Sequence, residues 1–298
     1  MTDQAKYLLD EGGKVVVSLG GSRCPINCAH CYIFAPGFQF FPSREPEHIV
    51  RDLEGFGPAL TAVYLSGDIE PFLDPQHAVT FLAEASEKLD SDLLFTTRLI
   101  IEDRWFPALR EIADRQFAKG RLLVGCVSIP AWDSYRRIER SKRVAAPTER
   151  VEQLGRFLTD LRIPTMLAAR PILPAEVVRP AEYGRLIRAA APHSTVVLGE
   201  TLFLDTEGVL ERRLGISVED SYEINKMSFF DQEREWKVVD LQAQVDAVAA
   251  LCRELNKPFY MRSMPGIDLI RGFWDRSRLE LKLVNTYPLP VRDFETSH

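Results

Sequence analysis

The apolar residues of this 298-residue chain fall into short runs separated by segments with helical spacing. Runs of four to seven β-branched or apolar residues are typical of buried parallel strands. Six such runs occur before residue 200, at Val15–Leu19, Ala62–Ser66, Leu93–Thr97, Leu122–Ser128, Thr165–Ala169 and Thr195–Leu198. The pattern therefore predicts an α/β fold.

Two of the intervening segments show the helical spacing most clearly. Pro75–Leu89 places Val79 and Leu82 on one face, and a second helix is predicted from Pro147 to about Leu161 with Thr148 as its N-cap. Six consecutive βα units close most simply into a partial (β/α)6 barrel of the TIM type, although an open doubly wound sheet fits the same alternation. In either fold the chemistry lies at the carboxyl ends of the strands.

The alternation weakens beyond residue 200. A helix near Leu241–Leu255 and a short strand at Phe259–Arg262 are the elements predicted there, and residues 261–266 are expected either to form a turn or to close the barrel mouth. We therefore predict a barrel core over residues 1–200 and a C-terminal extension or lid over residues 201–298.

Composition and charge exclude several classes of protein. With 46% hydrophobic residues the chain can bury a large core, and its longest apolar runs are far shorter than the roughly 20 residues that span a bilayer. The net charge of −6 argues against extended nucleic acid as a partner. The polar N-terminus resembles no secretory signal, so we expect a cytoplasmic protein without membrane contact.

Three of the five cysteines stand close together, directly after the first predicted strand. Cys24, Cys28 and Cys31 have the spacing C-x3-C-x2-C, preceded by the flexible Gly20-Gly21. Three neighbouring thiolates can hold three irons of a [4Fe–4S] cluster and leave the fourth iron open to a small molecule. A closed zinc site with His30 or a distant cysteine as fourth ligand is the alternative.

At these residues the chain resembles the radical S-adenosylmethionine (SAM) superfamily, whose signature is this cysteine spacing after the first strand of a partial (β/α)6 barrel. The segment Ser66–Pro71 (SGDIEP) is similar to that superfamily's Gly-Gly-x-Glu-Pro element, with Ser66 in place of the first glycine. In the superfamily this element binds the methionine amino group of SAM, and carbonyl or carboxylate acceptors suit an ammonium.

The resemblance implies further SAM contacts. The position before the third cysteine contacts adenine in the superfamily; here His30 occupies it and Tyr32 follows, so either ring could stack. Ser128, on the fourth predicted strand, falls where related enzymes place a polar residue on SAM, although a strand-end hydroxyl also commonly caps a turn. The predicted cofactor-binding residues are His30, Tyr32, Ser66, Gly67, Asp68, Glu70, Ser128 and Arg150, and the predicted metal ligands are Cys24, Cys28 and Cys31.

A branch of the superfamily that includes spore photoproduct lyase-like proteins is similar over roughly residues 14–175. The similarity rests on Ile138–Arg140, Pro147–Arg150 and Ala169–Pro174, and on Leu94–Arg98 with Arg98 replacing a lysine. By position, Arg98 and Arg150 could pair with the SAM carboxylate or an anionic substrate, since a guanidinium fork suits a carboxylate. A surface salt bridge is the alternative for each arginine.

The remaining features of note are a basic run and two isolated cysteines. The run comprises Arg136, Arg137, Arg140, Lys142 and Arg143. It is interpreted as a solvent-exposed face or, alternatively, as a binding site for an anionic substrate. Cys126 and Cys252 lie in apolar patterns and are expected to be buried structural thiols.

The resemblance implies an enzyme that holds a [4Fe–4S] cluster and SAM, takes one electron from flavodoxin or ferredoxin, and forms a 5′-deoxyadenosyl radical that abstracts hydrogen from a substrate. The acidic charge favours a small metabolite in a biosynthetic pathway. The alternatives are a nucleic-acid repair lyase, a peptide-modifying maturase and a non-catalytic zinc or iron–sulfur binding protein.

Overall fold

The main feature of the fold is a large parallel sheet. The computed structural model describes residues 7, 9–10, 12–21, 23–40, 42–218, 221–229 and 232–282. For residues 221–229 and 232–234 it describes the backbone alone. Residues 283–298, the end of the predicted extension, lie outside the described residues. The sheet has seven strands, all parallel, in the order β1-β2-β3-β4-β5-β6-β10. It is curled into a half-barrel.

The strands and helices alternate along the first 200 residues. The strands are β1 (Lys14–Val17), β2 (Ala62–Leu65), β3 (Asp92–Thr97), β4 (Leu123–Ser128), β5 (Thr165–Ala168) and β6 (Val196–Leu198). The helices are α1 (Pro46–Glu54), α2 (Pro75–Lys88), α3 (Phe106–Ala118), α4 (Tyr135–Ile138), α5 (Pro147–Thr159) and α6 (Pro180–Ala190). All six predicted strands and both predicted helices of this region are confirmed.

The strand order decides between the two predicted folds. A doubly wound sheet reverses direction at a switch point, whereas here strands that follow one another along the chain are also neighbours in the sheet. Because right-handed crossovers that always step in one direction put every helix on the same face, the sheet curls as in a TIM-type barrel. Within the described residues the edge strands β1 and β10 do not pair, so the barrel is open.

The C-terminal region adds a small antiparallel sheet that the sequence pattern did not predict. Its elements are β7 (Phe203–Asp205), α7 (Val209–Leu214), β8 (Ser221–Phe229) and β9 (Gln232–Val239), with strand order β7-β9-β8. The predicted helix follows as α8 (Gln242–Glu254) and the predicted short strand as β10 (Phe259–Tyr260). Strand β10 pairs with β6 and so extends the main sheet beyond the predicted core boundary at residue 200, to seven strands in place of six.

The last described elements are α9 (Ser263–Phe273) and the short hairpin strands β11 (Trp274–Asp275) and β12 (Glu280–Leu281). The prediction for residues 261–266 was wrong, because a helix begins at Ser263 and packs on the concave face of the sheet. Its Ile267 and Ile270 are fully buried there beside Met166 and Val196. The segment therefore fills the barrel interior.

Polar contacts show which end of the barrel α9 occupies. The Arg271 guanidinium forms an ion pair of 2.7 Å with buried Asp92 at the start of β3, and Lys14 Nζ at the start of β1 donates to Ser263 Oγ at 3.2 Å. Both strand residues are at amino ends. Helix α9 thus blocks the amino end of the barrel and leaves the carboxyl end open.

The predicted N-cap of α5 was also wrong. The helix begins at Pro147, so that Ala146 is the N-cap, and the Glu149 carboxylate accepts a hydrogen bond from the Ala146 N–H at 2.8 Å. Proline suits the first helical position because its missing N–H would have no partner there. None of the described helices combines the length and apolarity needed to cross a bilayer.

We predict that Gly266→Val destabilises the protein by about 1–3 kcal/mol, since even a Cβ at Gly266 would lie 3.2 Å from Val196 Cγ1 and the added methyl groups would overpack the interior. The matched control is Gly272→Ala in the same helix, where a Cβ meets nothing within 4 Å and the better helix former should stabilise by up to about 1 kcal/mol. Urea unfolding of both variants measures the difference. Equal stability of the two variants would contradict the packing of α9 against β5 and β6.

Candidate functional site

The three cysteines of the motif line one cavity at the carboxyl end of the barrel. The opposite wall of this cavity is the segment that follows β2, and the end of β3 contributes Thr96 and Arg98. The residues lining it are Cys24, Ile26, Asn27, Cys28, Cys31, Ile33, Phe34, Ser66, Gly67, Asp68, Ile69, Glu70, Pro71, Thr96 and Arg98. The structure therefore brings together the two motifs that the sequence separates by 34 residues.

Backbone contacts hold the cysteine loop in shape. Asn27 adopts a left-handed conformation with φ 58°, which asparagine tolerates better than most residues, and the Cys31 N–H donates to the Cys28 carbonyl at 3.3 Å. Cys28 forms an isolated antiparallel bridge with Glu139, and the Ala29 N–H donates to the Ile138 carbonyl at 2.8 Å. The loop is thus fastened to the segment that follows α4.

Arg213 of α7 fastens the loop from the other side. Its Nη2 donates to Asn27 Oδ1 at 2.7 Å and to the Cys28 carbonyl at 3.0 Å. Its guanidinium also lies 3.8 Å from the centre of the Phe34 ring. This residue was not predicted, because the contact spans 185 positions and no local pattern marks it. The C-terminal extension therefore contributes directly to the geometry of the motif.

Burial raises the pKa of the three cysteine thiols of the motif. It raises the pKa of Cys28 far above the ordinary value, that of Cys31 to about 11, and that of Cys24 by a smaller amount. The nearby Arg98 charge lowers the pKa of all three thiols but does not outweigh burial. A metal that binds here must displace protons, because thiolates are the ligands.

A single metal ion needs ligand atoms that converge on one point, and among the described residues no three Cys, His, Asp or Glu side chains do so. Zinc prefers four protein ligands in a closed site. In a [4Fe–4S] cluster each thiolate binds a different iron, and three thiolates leave one iron without a protein ligand. Cys24, Cys28 and Cys31 line the same cavity.

The segment after β2 presents a carboxylate with one free oxygen. Gly67 has φ 117°, a conformation that a residue with a Cβ rarely adopts. Glu70 is buried, and its Oε2 accepts the Arg98 backbone N–H at 3.0 Å, whereas its Oε1 has no hydrogen-bond partner among the described residues. Burial raises the pKa of the Glu70 carboxyl. A buried acceptor of this kind is costly unless a ligand satisfies it.

Asp68 lies in the same cavity wall as Ser66. It is buried, and the Ser18 hydroxyl at the end of β1 donates to its carboxylate. The same hydroxyl accepts the Gly20 N–H at 3.0 Å. Ser18 therefore connects the glycine pair before the cysteines with the wall that faces them.

Arg150 lies behind the cavity and not in its lining. It is fully buried, its guanidinium forms two hydrogen bonds of 3.0 and 2.7 Å to the Glu139 carboxylate, and its Nη1 also donates to the Ser128 carbonyl at 2.7 Å. Arg98, which does line the cavity, lies 3.3 Å from the same carboxylate. Arg150 is thus placed to orient Glu139, and Arg98 is the arginine that faces the cavity.

Of the three remaining predicted SAM contacts, His30 and Ser128 are buried and Tyr32 is half-buried. His30 is 7% exposed, its Nδ1 has no partner among the described residues, and burial lowers the pKa of the ring to about 3, so the imidazole is neutral. Ser128 is fully buried and its Oγ also has no described partner. The Tyr32 ring packs against Phe38 with the ring centres 5.6 Å apart. His30, Tyr32 and Ser128 are not among the residues that line the cavity, in contrast to the predicted contacts Ser66, Gly67, Asp68 and Glu70.

Some residues of the basic run form hydrogen bonds to backbone carbonyls, and others lie at the surface. Arg137 donates to the Val177 carbonyl and Arg140 to the Arg213 carbonyl, while Lys142 and Arg143 remain at the surface. Cys126 and Cys252 are both fully buried, as predicted.

Two residues at the barrel mouth were not predicted, Arg170 after β5 and Glu200 after β6. Side chains alternate between the faces of a strand, and both residues stand two positions beyond an inward-facing strand residue, Ala168 and Leu198 respectively. The same alternation applied to each predicted strand would have indicated them.

Comparison with known proteins bears on the fold. A scan against protein families finds no match, and a search of curated proteins finds none either. Among solved structures, a radical SAM methyltransferase from Sphaerobacter thermophilus overlays with a TM-score of 0.56 at 14% identity, covering 87% of this chain and 68% of that chain. A chitinase from Chromobacterium violaceum overlays at 0.37 with 12% identity, covering 85% and 87%, a score too low to carry an argument. The first match supports the partial-barrel fold.

We predict that Arg150→Ala costs about 3–5 kcal/mol of stability, because it leaves the Glu139 carboxylate buried with one fewer partner. The control is Arg188→Ala, which removes an ion pair of 3.1 Å between two exposed side chains and should cost at most about 1 kcal/mol. Denaturant unfolding compares the two. A loss from Arg150→Ala no larger than that from the control would show that the Glu139 pair does not hold the site together.

Proposed function

We propose that this protein is a radical SAM enzyme that binds a [4Fe–4S] cluster through Cys24, Cys28 and Cys31 and binds SAM across the same cavity. The observation that carries the proposal is the pairing of these thiols with a buried, half-satisfied Glu70 carboxylate in one cavity at the carboxyl end of the barrel. The fold similarity to a radical SAM methyltransferase supports it.

The residues present fit both groups. Three cysteines supply ligands for three irons and leave the fourth without a protein ligand. When bound, the cluster and SAM would supply one-electron cleavage of SAM to methionine and a 5′-deoxyadenosyl radical that abstracts hydrogen from the substrate. The chain's own task is to bind, orient and shield these groups.

Each residue has a separate part in that task. Glu70 Oε1 accepts from the ammonium group of SAM, and Gly67 allows the backbone to come close beside it. The Arg98 guanidinium, fixed by Glu139, pairs with the carboxylate of SAM. Ser66 and Asp68 complete this wall, while His30, Tyr32 and Ser128 contact the adenosine part. Arg150 acts as a positioning residue through Glu139.

The reactant beyond SAM is proposed to be a small molecule, and the electron donor a flavodoxin or ferredoxin. The closed amino end of the barrel, filled by α9, leaves the carboxyl end as the route by which substrate enters. A site enclosed on that side also limits water and premature quenching of a radical.

We predict that anaerobic reconstitution of the wild type yields about four iron and four sulfide per chain, and that Cys28→Ser or Cys31→Ser lowers both several-fold. The controls are Cys126→Ser and Cys252→Ser, which change buried thiols outside the motif and should leave the metal content unchanged. Iron and sulfide analysis with absorption spectroscopy measures the outcome. Zinc in place of iron, or equal loss in motif and control variants, would refute the cluster assignment.

A second prediction concerns Glu70→Gln. The amide keeps an acceptor for the Arg98 N–H but loses the charge that attracts an ammonium, so we expect normal cluster content and at least tenfold less 5′-deoxyadenosine from SAM and dithionite. Chromatography of the products checks this. Glu102→Gln, a substitution at an exposed carboxylate, serves as the control. Undiminished product from Glu70→Gln would overturn the role given to this carboxylate.

A further inference from the structure

Arg170 is a half-buried cation at the barrel mouth whose hydrogen-bond partner is a neutral phenol. It follows β5 and reaches across the interior, where its Nη2 donates to the Tyr64 hydroxyl of β2. Tyr64 is itself hydrogen-bonded to Thr96 Oγ1 of β3. Since Thr96 lines the cysteine cavity, a continuous chain of two hydrogen bonds joins that cavity to the guanidinium.

The charge of Arg170 is compensated less well than that of the other arginines at this end of the barrel. Arg98 and Arg150 share the Glu139 carboxylate at 3.3 and 2.7 Å. Arg170 forms no ion pair within the part of the chain that the structure describes, and Glu200 acts on it only through longer-range attraction. A guanidinium removed from bulk water without a carboxylate partner is costly, and an anionic ligand would offset that cost.

The geometry also leaves the guanidinium accessible. Arg170 is partly exposed, and in the described residues its hydrogen bond to Tyr64 is the one that it donates, so further N–H groups remain for a ligand. Below it, Tyr64 and Cys126 are buried on the inner face above α9, so a ligand must approach from the open carboxyl end.

We propose that Arg170, oriented by Tyr64, binds an anionic group of the substrate, either a carboxylate or a phosphate. This inference rests on the proposed function, since it places the substrate in the same barrel mouth as SAM. Two hydrogen bonds separate the guanidinium from Thr96 Oγ1, so Arg170 Nη2 lies within about 6 Å of the cavity wall. A substrate whose anionic group binds Arg170 would therefore lie beside the cavity in which we propose that SAM binds.

The test measures anion binding to the reconstituted protein by isothermal titration calorimetry, with inorganic phosphate and malonate as separate probes at constant ionic strength. We expect the wild type to bind at least one probe, and the stronger of the two identifies the kind of anionic group. Arg170→Gln should weaken that binding at least tenfold, and Tyr64→Phe, which removes the orienting hydroxyl, several-fold. Arg188→Gln, at an exposed arginine, should bind like the wild type.

Unchanged binding by Arg170→Gln, or no binding of either probe by the wild type, would overturn the proposal. If Arg170→Gln does not fold, as judged by circular dichroism, Tyr64→Phe decides, and wild-type affinity in that variant would contradict it. Deoxyadenosine formation by the same wild-type preparation reports separately on the proposed function. Anion binding without deoxyadenosine would refute the SAM chemistry alone, and the reverse result would refute the Arg170 site alone.

Discussion

The buried carboxylate of Glu139 is the point on which the site depends. Arg150 binds it with both nitrogens of its fork, Arg98 approaches it from the cavity side, and its backbone forms a bridge with Cys28. These contacts join helix α5, the end of strand β3 and the cysteine loop. Because charges withdrawn from water are stable only when paired, loss of one partner would disturb all three elements together. The cavity thus takes its shape from electrostatic pairing as well as from apolar packing.

The two ends of the barrel differ in what they contain: packing of α9 fills the amino end, and the candidate site lies at the carboxyl end. Helix α9 fills the interior at the amino end and is held by Arg271 and Lys14, while the polar residues gather at the carboxyl end. The inward-facing positions of the strands continue there with Ser128 at the end of β4 and, just past the other strands, with Ser18, Ser66, Arg98, Arg170 and Glu200. Parallel strands bring their carboxyl ends to one edge, so residues far apart in sequence meet without any special long-range pattern.

This construction explains which features could be predicted from sequence. Buried parallel strands are short continuous apolar runs, and all six were found in this way, as were the cysteine loop and the Ser66–Pro71 wall that follow two of them. Arg213 could not be found, because it depends on a contact between α7 and the distant cysteine loop. The small sheet containing β7 and β9 was not predicted, because the apolar pattern weakens in that part of the sequence. The position of Arg150 behind the cavity was not predicted either, because a motif does not specify the direction in which a side chain points.

The most direct measurement is electron paramagnetic resonance of the anaerobically reconstituted, dithionite-reduced protein, recorded with and without SAM. We expect the signal of a reduced [4Fe–4S] cluster whose g values change when SAM is added, because the iron without a protein ligand is open to the methionine part of SAM. A reduced cluster whose signal does not respond to SAM, or a protein that binds no iron, would contradict the proposed SAM chemistry.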